Sequence, residues 1–127
     1  MKIALTSVFV DDQEKAHRFY TGVLGFETRQ DIPMGEFRFL TVASPEGPEG
    51  VELLLEPNNH PAAAAFQQAI YGDGIPATSF QSADIRREHE RLVERGVVFR
   101  QPPTEAGPVA IAVFDDTCGN WIQLHQV

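Results

Sequence analysis

Apolar and polar positions alternate in the same order in both halves of the chain. Residues 3–10 are apolar and β-branched, which predicts a buried strand. Asp11 and Asp12 follow, and either carboxylate can cap a helix. The next apolar positions have the spacing of one helix face and are Ala16, Phe19, Tyr20, Val23 and Leu24. Gly25 predicts the end of this helix, because glycine readily adopts the left-handed conformation found there.

Shorter apolar runs complete the first half. Residues 36–43 and 51–55 predict two further strands, separated by a turn rich in proline and glycine. A short helix over residues 61–70 is predicted to connect this half to the second.

The second half repeats the first. Shifting the sequence by about 72 positions places Ser7 on Ser79 and Asp12 on Asp84. Strands are predicted at residues 77–83, 109–114 and 121–125, and Asp84 is predicted to cap a helix whose inner face is Ile85, His89, Leu92 and Val93. We therefore predict a single domain over residues 1–127, with module one at 1–57, a linker helix at 58–74 and module two at 75–127.

Composition narrows the function classes. The chain has 127 residues, 43% of them hydrophobic, and no apolar run approaches the length of a membrane helix. A formal charge of −8 argues against nucleic acid as a partner and is compatible with a cationic ligand. No signal peptide is apparent at the start, so we expect a cytoplasmic protein. Cys118 is the single cysteine, which excludes an intrachain disulfide.

Three segments resemble one known family. They are the helix region with Phe19-Tyr20 and Leu24-Gly25-Phe26, the strand at residues 51–55, and the closing segment at residues 114–124. Together they resemble the vicinal oxygen chelate superfamily, which contains glyoxalase I, bleomycin-resistance proteins and extradiol dioxygenases. The resemblance implies an α+β fold in which two βαβββ modules form a cup-shaped mixed sheet with helices outside.

The resemblance also identifies the positions at which enzymes of this family hold a divalent metal ion. Carried over by strand parity, these positions are Leu5 and Glu52 in the first half and Ala77 and Gln123 in the second. Leu5 and Ala77 have no donor atom, and a catalytic metal ion usually needs three protein ligands. We therefore expect neither a metal ion nor another cofactor.

Strand parity then predicts a ligand-binding site inside the cup. Its residues are Leu5, Ser7, Phe9, Glu52, Leu54, Ala77, Ser79, Trp121, Gln123 and His125. Glu52 is the candidate catalytic residue, because burial in an apolar cup would raise its pKa and make it a general base. Trp121 either stacks on a ligand or fills the core. The strand at 36–43 presents either Arg38, Leu40 and Val42 or Phe37, Phe39 and Thr41 to the cup.

These features predict a homodimeric protein that binds a small organic molecule without metal, as bleomycin-resistance proteins do. The alternative is a metal-dependent lyase or dioxygenase of the glyoxalase I or extradiol dioxygenase type with non-standard ligands. In that case Glu52 would serve as both ligand and base. A metal-free enzyme that uses Glu52 as base is a third possibility.

Overall fold

The first half of the chain folds as one βαβββ unit in a computed structural model that describes residues 1–127. Its strands are β1 (Leu5–Val10), β2 (Glu27–Met34), β3 (Phe37–Ala43) and β4 (Glu52–Pro57). Helix α1 spans Gln13–Arg18 and continues as a π-helical segment over Phe19–Val23.

The second half repeats this order. After helix α2 (Pro61–Gly72) it contains β5 (Pro76–Gln81), α3 (Ile85–Glu94), β6 (Phe99–Ala106), β7 (Val109–Asp115) and β8 (Trp121–Gln126). Internal contacts divide the chain into two compact units, Met1–Ala65 and Phe66–Val127, so the boundary falls within α2. The single domain with boundaries after residues 57 and 74 stays a prediction.

Each unit contains one four-stranded mixed sheet. The strand order is β1-β4-β3-β2 in the first unit and β5-β8-β7-β6 in the second. The outer strands β1 and β5 run parallel to β4 and β8, and all other neighbours are antiparallel. The predicted α+β fold built from two βαβββ modules is confirmed. None of the helices is both long enough and apolar enough to cross a membrane.

Helix α1 begins where the sequence predicts. Of the two candidate caps, Asp12 is the one used, since its Oδ1 accepts a hydrogen bond from the Lys15 backbone N–H at 3.0 Å. Of the predicted stripe, Ala16, Phe19 and Tyr20 are buried, whereas Val23 and Leu24 are half-buried. Burial of this face fixes α1 against one side of the first sheet.

Gln13 joins α1 to two strands. Its Nε2 donates to the carbonyl oxygens of Arg38 (2.7 Å) and Leu55 (2.8 Å), and its Oε1 accepts from the Arg38 N–H at 3.0 Å. Although it is polar, this side chain is buried. Its three hydrogen bonds compensate for the loss of solvation.

Helix α3 follows its prediction with one exception. Asp84 caps it through the Arg87 N–H at 3.2 Å, and Ile85 and Leu92 are buried. Val93 was predicted on the inner face but is 49% exposed. Ile85 and Leu92 are two turns apart and form the centre of the buried stripe. Val93 follows Leu92 by one residue and therefore lies at the edge of that stripe, which is narrower than predicted.

Two strands were not predicted from the sequence pattern. β2 and β6 pair with β3 and β7, respectively, as the last strand of each sheet. Most of their residues are exposed and many are polar, so they lack the apolar signal of a buried strand.

Candidate functional site

One face of the first sheet carries the predicted ligand-binding residues of that unit. β1 and β4 are parallel and in register, with Leu5 beside Glu52, Ser7 beside Leu54 and Phe9 beside Glu56. The alternate residues of both strands, including Val8, Val10, Leu53 and Leu55, are buried on the α1 side. We call the face with Leu5, Ser7, Phe9, Glu52 and Leu54 the first open face.

The structure settles which side of β3 belongs to the first open face. Thr41 pairs with Leu54 and Val42 with Leu53, so Phe37, Phe39 and Thr41 share the side of Leu54. Arg38 lies on the opposite side, where its guanidinium contacts Asp31 at 2.9 Å and Glu14 at 2.7 Å. The hydrogen bond to Asp31 is the main cause that raises the pKa of Arg38. The alternative in which Arg38, Leu40 and Val42 share the face of Glu52 is therefore wrong.

Glu52 is the central polar group of the first open face. Its Oε1 accepts hydrogen bonds from the Thr41 hydroxyl at 2.6 Å and the Gln30 side-chain amide at 2.9 Å. These two bonds lower the pKa of Glu52, and the charge of Arg29 adds to the effect, whereas burial opposes it. The raised pKa expected from burial is therefore wrong. Glu52 is held as an ionised carboxylate rather than as a weak acid near neutral pH.

A β-bulge brings Gln30 into position. Thr28 pairs with Val42 and Gln30 with Thr41, so Arg29 has no partner of its own on β3. The extra residue moves the following side chains to the other face of the strand. As a result, Gln30 lies on the same face as Thr41 and reaches Glu52.

The predicted residues of the second half also share one face of their sheet, which we call the second open face. Along β5, the exposed Ala77 and Ser79 alternate with half-buried neighbours. Along β8, the half-buried Trp121, Gln123 and His125 alternate with the buried Ile122 and Leu124. In this unit the strand neighbour of Gln123 is Ser79, because the register of β5 shifts between Pro76 and Thr78. Ala77, at this shift, is on the exposed side but not beside Gln123.

Ser79 links the polar residues of the second open face. Its Oγ lies 2.7 Å from His125 Nδ1 and accepts a hydrogen bond from Gln123 Nε2 at 3.2 Å. With its Oγ accepting from Gln123, the Ser79 hydroxyl proton is available to His125 Nδ1. The three side chains thus form one exposed hydrogen-bonded row.

Trp121 has more neighbours than the sequence indicated. Tyr71 of α2 stacks on it, with ring centroids 4.8 Å apart and an interplanar angle of 3°. Its Nε1 donates to the Tyr71 carbonyl oxygen at 3.0 Å, and the Arg100 guanidinium lies 5.5 Å from the ring centroid. Sequence reasoning missed Tyr71 and Arg100, since neither belongs to the strands that it assigned to the site.

One pocket lies outside the predicted site. It has a volume of about 390 Å³ and lies between the N-terminus of α1 and the adjoining loops. Its lining includes Asp11, Asp12, Glu36 and Asn58 but no predicted ligand-binding residue. Phe37 also lines this pocket, but Glu52 and the other polar residues of the two open faces do not.

The structure contains no group of three or more His, Cys, Asp and Glu side chains that could hold a metal ion. In the first unit, the two positions that hold the metal ion in enzymes of the resembling family are Leu5 and Glu52, which are strand neighbours. Leu5 has no atom that can coordinate a metal ion, so Glu52 is the single candidate ligand of this pair. In the second unit, the Gln123 amide donates to Ser79. That the protein works without a metal ion stays a prediction.

Comparison with known proteins identifies the family. The model of the Glyoxalase/Bleomycin resistance protein/Dioxygenase superfamily matches residues 2–124. The chain belongs to this superfamily, which confirms the resemblance inferred from its motifs.

Individual relatives extend over the whole chain. The uncharacterized protein YurT of Bacillus subtilis (strain 168) is 56% identical over 126 residues, covering 99% of each chain. The crystal structure of UcmS2 is 35% identical with a TM-score of 0.85, covering 98% of this chain and 97% of that one. TnmS3, an antibiotic binding protein from Streptomyces sp. CB03234, is 28% identical with a TM-score of 0.76, covering 99% and 95%.

Proposed function

We propose that the protein binds a small organic molecule on its first open face, through apolar contact and one ionic hydrogen bond to Glu52, and that it does so without a metal ion. The ligand class is a largely apolar molecule that carries an ammonium or another N–H donor. The observation that carries this proposal is the arrangement of the Glu52 carboxylate. A role like that of bleomycin-resistance proteins, which sequester a cationic drug, is the specific form that we propose.

The two oxygens of Glu52 differ. Oε1 accepts both hydrogen bonds, from Thr41 and Gln30, and Oε2 accepts none from the protein. The bonds to Oε1 fix the orientation of the carboxylate and keep it ionised. Oε2 is consequently a pre-oriented acceptor for a ligand N–H group, and charge-assisted bonds of this kind are about twice as strong as neutral ones.

The surroundings of Glu52 favour an organic ligand over a free ion. Its strand neighbour Leu5 is 46% exposed, and Ile32 on the same side of the sheet is 49% exposed. Phe39 and Leu54 are half-buried beside them. Ligand sites are typically apolar with few polar groups that fix orientation, and this face has that composition.

Similarity to TnmS3 supports the same class of ligand. That protein is described as an antibiotic binding protein, and it covers nearly all of this chain. Similarity alone does not determine function on a fold that hosts many chemistries. The residues around Glu52 therefore carry the proposal, and the relative supports it.

A matched pair of ligands tests the role of Glu52. We expect naphthylmethylammonium to shift the amide NMR signals of Gln30, Thr41 and Glu52 in a saturable way. The neutral analogue naphthylmethanol should bind at least about tenfold more weakly, which corresponds to about 1.4 kcal/mol. Glu52→Gln should remove this preference, while Glu49→Gln, the same charge change in an exposed turn, should retain it. Equal binding of both compounds by the wild-type protein would refute the proposal.

Native mass spectrometry of freshly purified protein tests the remaining features. We propose a metal-free, cytoplasmic homodimer, so the spectrum should show two chains without a bound transition metal. A stoichiometric metal ion that is lost in Glu52→Ala would instead favour the lyase or dioxygenase alternative. A monomeric species across the working concentration range would contradict the dimer.

A further inference from the structure

The second unit places the guanidinium of an arginine over an aromatic ring. Arg100 lies at a bulge of β6, since Phe99 pairs with Phe114 and Gln101 with Val113. Its guanidinium lies 5.5 Å from the centroid of the Trp121 ring. Tyr71 stacks on that ring and accepts the indole N–H with its carbonyl oxygen, which holds the ring in place. The arginine is thus placed against a rigid aromatic surface.

Gly74 provides space for the guanidinium. A Cβ atom at this position would lie 2.5 Å from one terminal nitrogen of Arg100 and 2.6 Å from its Cζ. Gly74 also has a φ of +72°, which L-residues rarely adopt. The positive φ therefore favours glycine here, and the missing side chain leaves the space that the guanidinium occupies.

The charge of Arg100 is not neutralised within the protein. Arg100 is exposed and forms no ion pair in the structure. Asp115, on the strand position beside Trp121, uses its oxygens elsewhere. Its Oδ2 accepts from the Tyr71 hydroxyl at 2.9 Å and its Oδ1 from the Thr117 N–H at 2.7 Å. The guanidinium N–H groups therefore remain available to a ligand.

The arginine at the same position of the first unit differs from Arg100 in having a carboxylate partner. Arg29 occupies the equivalent bulge of β2, but its guanidinium contacts Glu27 at 3.6 Å. Arg100 has no such carboxylate and has Trp121 in its place. An unpaired arginine held by packing is notable in a protein with a formal charge of −8.

We propose that Arg100, held by Trp121 and Gly74, forms a binding site for a carboxylate. The planar guanidinium presents parallel N–H groups that match the two oxygens of a carboxylate. Because Arg100 is already positioned, little side-chain entropy is lost when the ligand binds. This site goes beyond the proposed function: it lies in the other unit and takes a ligand of opposite charge.

Tryptophan fluorescence provides a direct readout, because Trp121 is the single tryptophan of the chain. We expect benzoate to change the emission in a saturable manner and its neutral analogue benzamide to have little effect. Arg100→Gln should weaken benzoate binding at least tenfold. Arg87→Gln, the same charge change on the exposed surface of α3, should bind benzoate as the wild-type protein does.

A second variant separates positioning from charge. Gly74→Ala keeps the charge of Arg100 but occupies its space, so it should also weaken benzoate binding. Near-ultraviolet circular dichroism checks that the stacking of Trp121 on Tyr71 persists. The proposal is overturned if the wild-type protein gives no saturable response, if benzamide binds as well as benzoate, or if Arg100→Gln binds benzoate normally.

Discussion

The buried Gln13 allows a quantitative test of how α1 is attached to its sheet. Replacing it with leucine keeps a similar volume and removes all three of its hydrogen bonds. Each intramolecular hydrogen bond contributes a net ~0.5–1.5 kcal/mol to stability, so the sum is about 3 kcal/mol. The Leu55 carbonyl oxygen would also lose its side-chain donor at a buried position.

Urea denaturation measures this loss. In a thermal unfolding experiment, a loss of about 3 kcal/mol corresponds for a chain of this size to a decrease in Tm on the order of 10 °C. Gln81→Leu is the matched control, because Gln81 is exposed on β5 and its side chain makes no hydrogen bond in the structure. That variant should stay within about 0.5 kcal/mol of the wild-type protein.

Hydrogen exchange distinguishes a local effect from a global one. In Gln13→Leu, the amide of Arg38 should exchange faster relative to the rest of β3, since its acceptor is Gln13 Oε1. A loss below about 1 kcal/mol would refute the reasoning, because the three bonds would then contribute no more than one bond usually does. Equal losses in Gln13→Leu and Gln81→Leu would refute it as well.

Three further predictions concern single contacts. Gly119→Ala should destabilise the protein by about 1–3 kcal/mol in urea denaturation, because φ is +96° there and the new Cβ would lie 2.7 Å from Gln67 Nε2. Asp12→Ala should cost about 1 kcal/mol by removing the cap of α1, measured in the same way. Glu52 should titrate by carboxyl NMR below its ordinary pKa of 4.5, and Thr41→Val should move that pKa upward. The stabilisation from ionised Glu52 is then complete above pH 4.5 and is lost as the pH falls through the folded-state pKa, so titration at or above 4.5 would contradict the assignment.

Much of the fold could be predicted from the sequence because its signals are local. The cap at Asp84 and the stripe of Ala16, Phe19 and Tyr20 are each specified by residues within a few positions of one another. The strands β2 and β6 were missed for the opposite reason. As exposed last strands of their sheets they need few apolar residues, and their pairing partners lie beyond the next turn.

The open faces could be predicted only in part. Alternation along a single strand places Glu52 opposite Leu53, and the structure agrees. The side of β3 depends on its pairing with β4, and the neighbour of Gln123 depends on the shifted register of β5. The pKa of Glu52 depends on Thr41 and Gln30, which come from two other strands. Each of these features requires knowledge of contacts between strands.

The two halves share a backbone feature and differ in its use. Both contain an Arg-Gln pair at a bulge of the last strand, Arg29-Gln30 in β2 and Arg100-Gln101 in β6. In the first unit, Gln30 faces Thr41 and supports the charge of Glu52. In the second unit, Gln101 pairs with Val113, which offers no hydroxyl, and Gln123 stands where the repeat has Glu52.

The bulges of β2 and β6 thus have the same backbone arrangement, but a few different side chains give them opposite electrostatic environments. Around Glu52 the bulge supplies a hydrogen-bond donor to a carboxylate, and beside Trp121 it supplies a cation without a counter-charge. A bulge re-aims side chains at the cost of ladder hydrogen bonds, so it is harder to create than a side chain is to replace. Retaining the bulge and exchanging its neighbours is therefore an economical route from one duplicated unit to two faces with different charges.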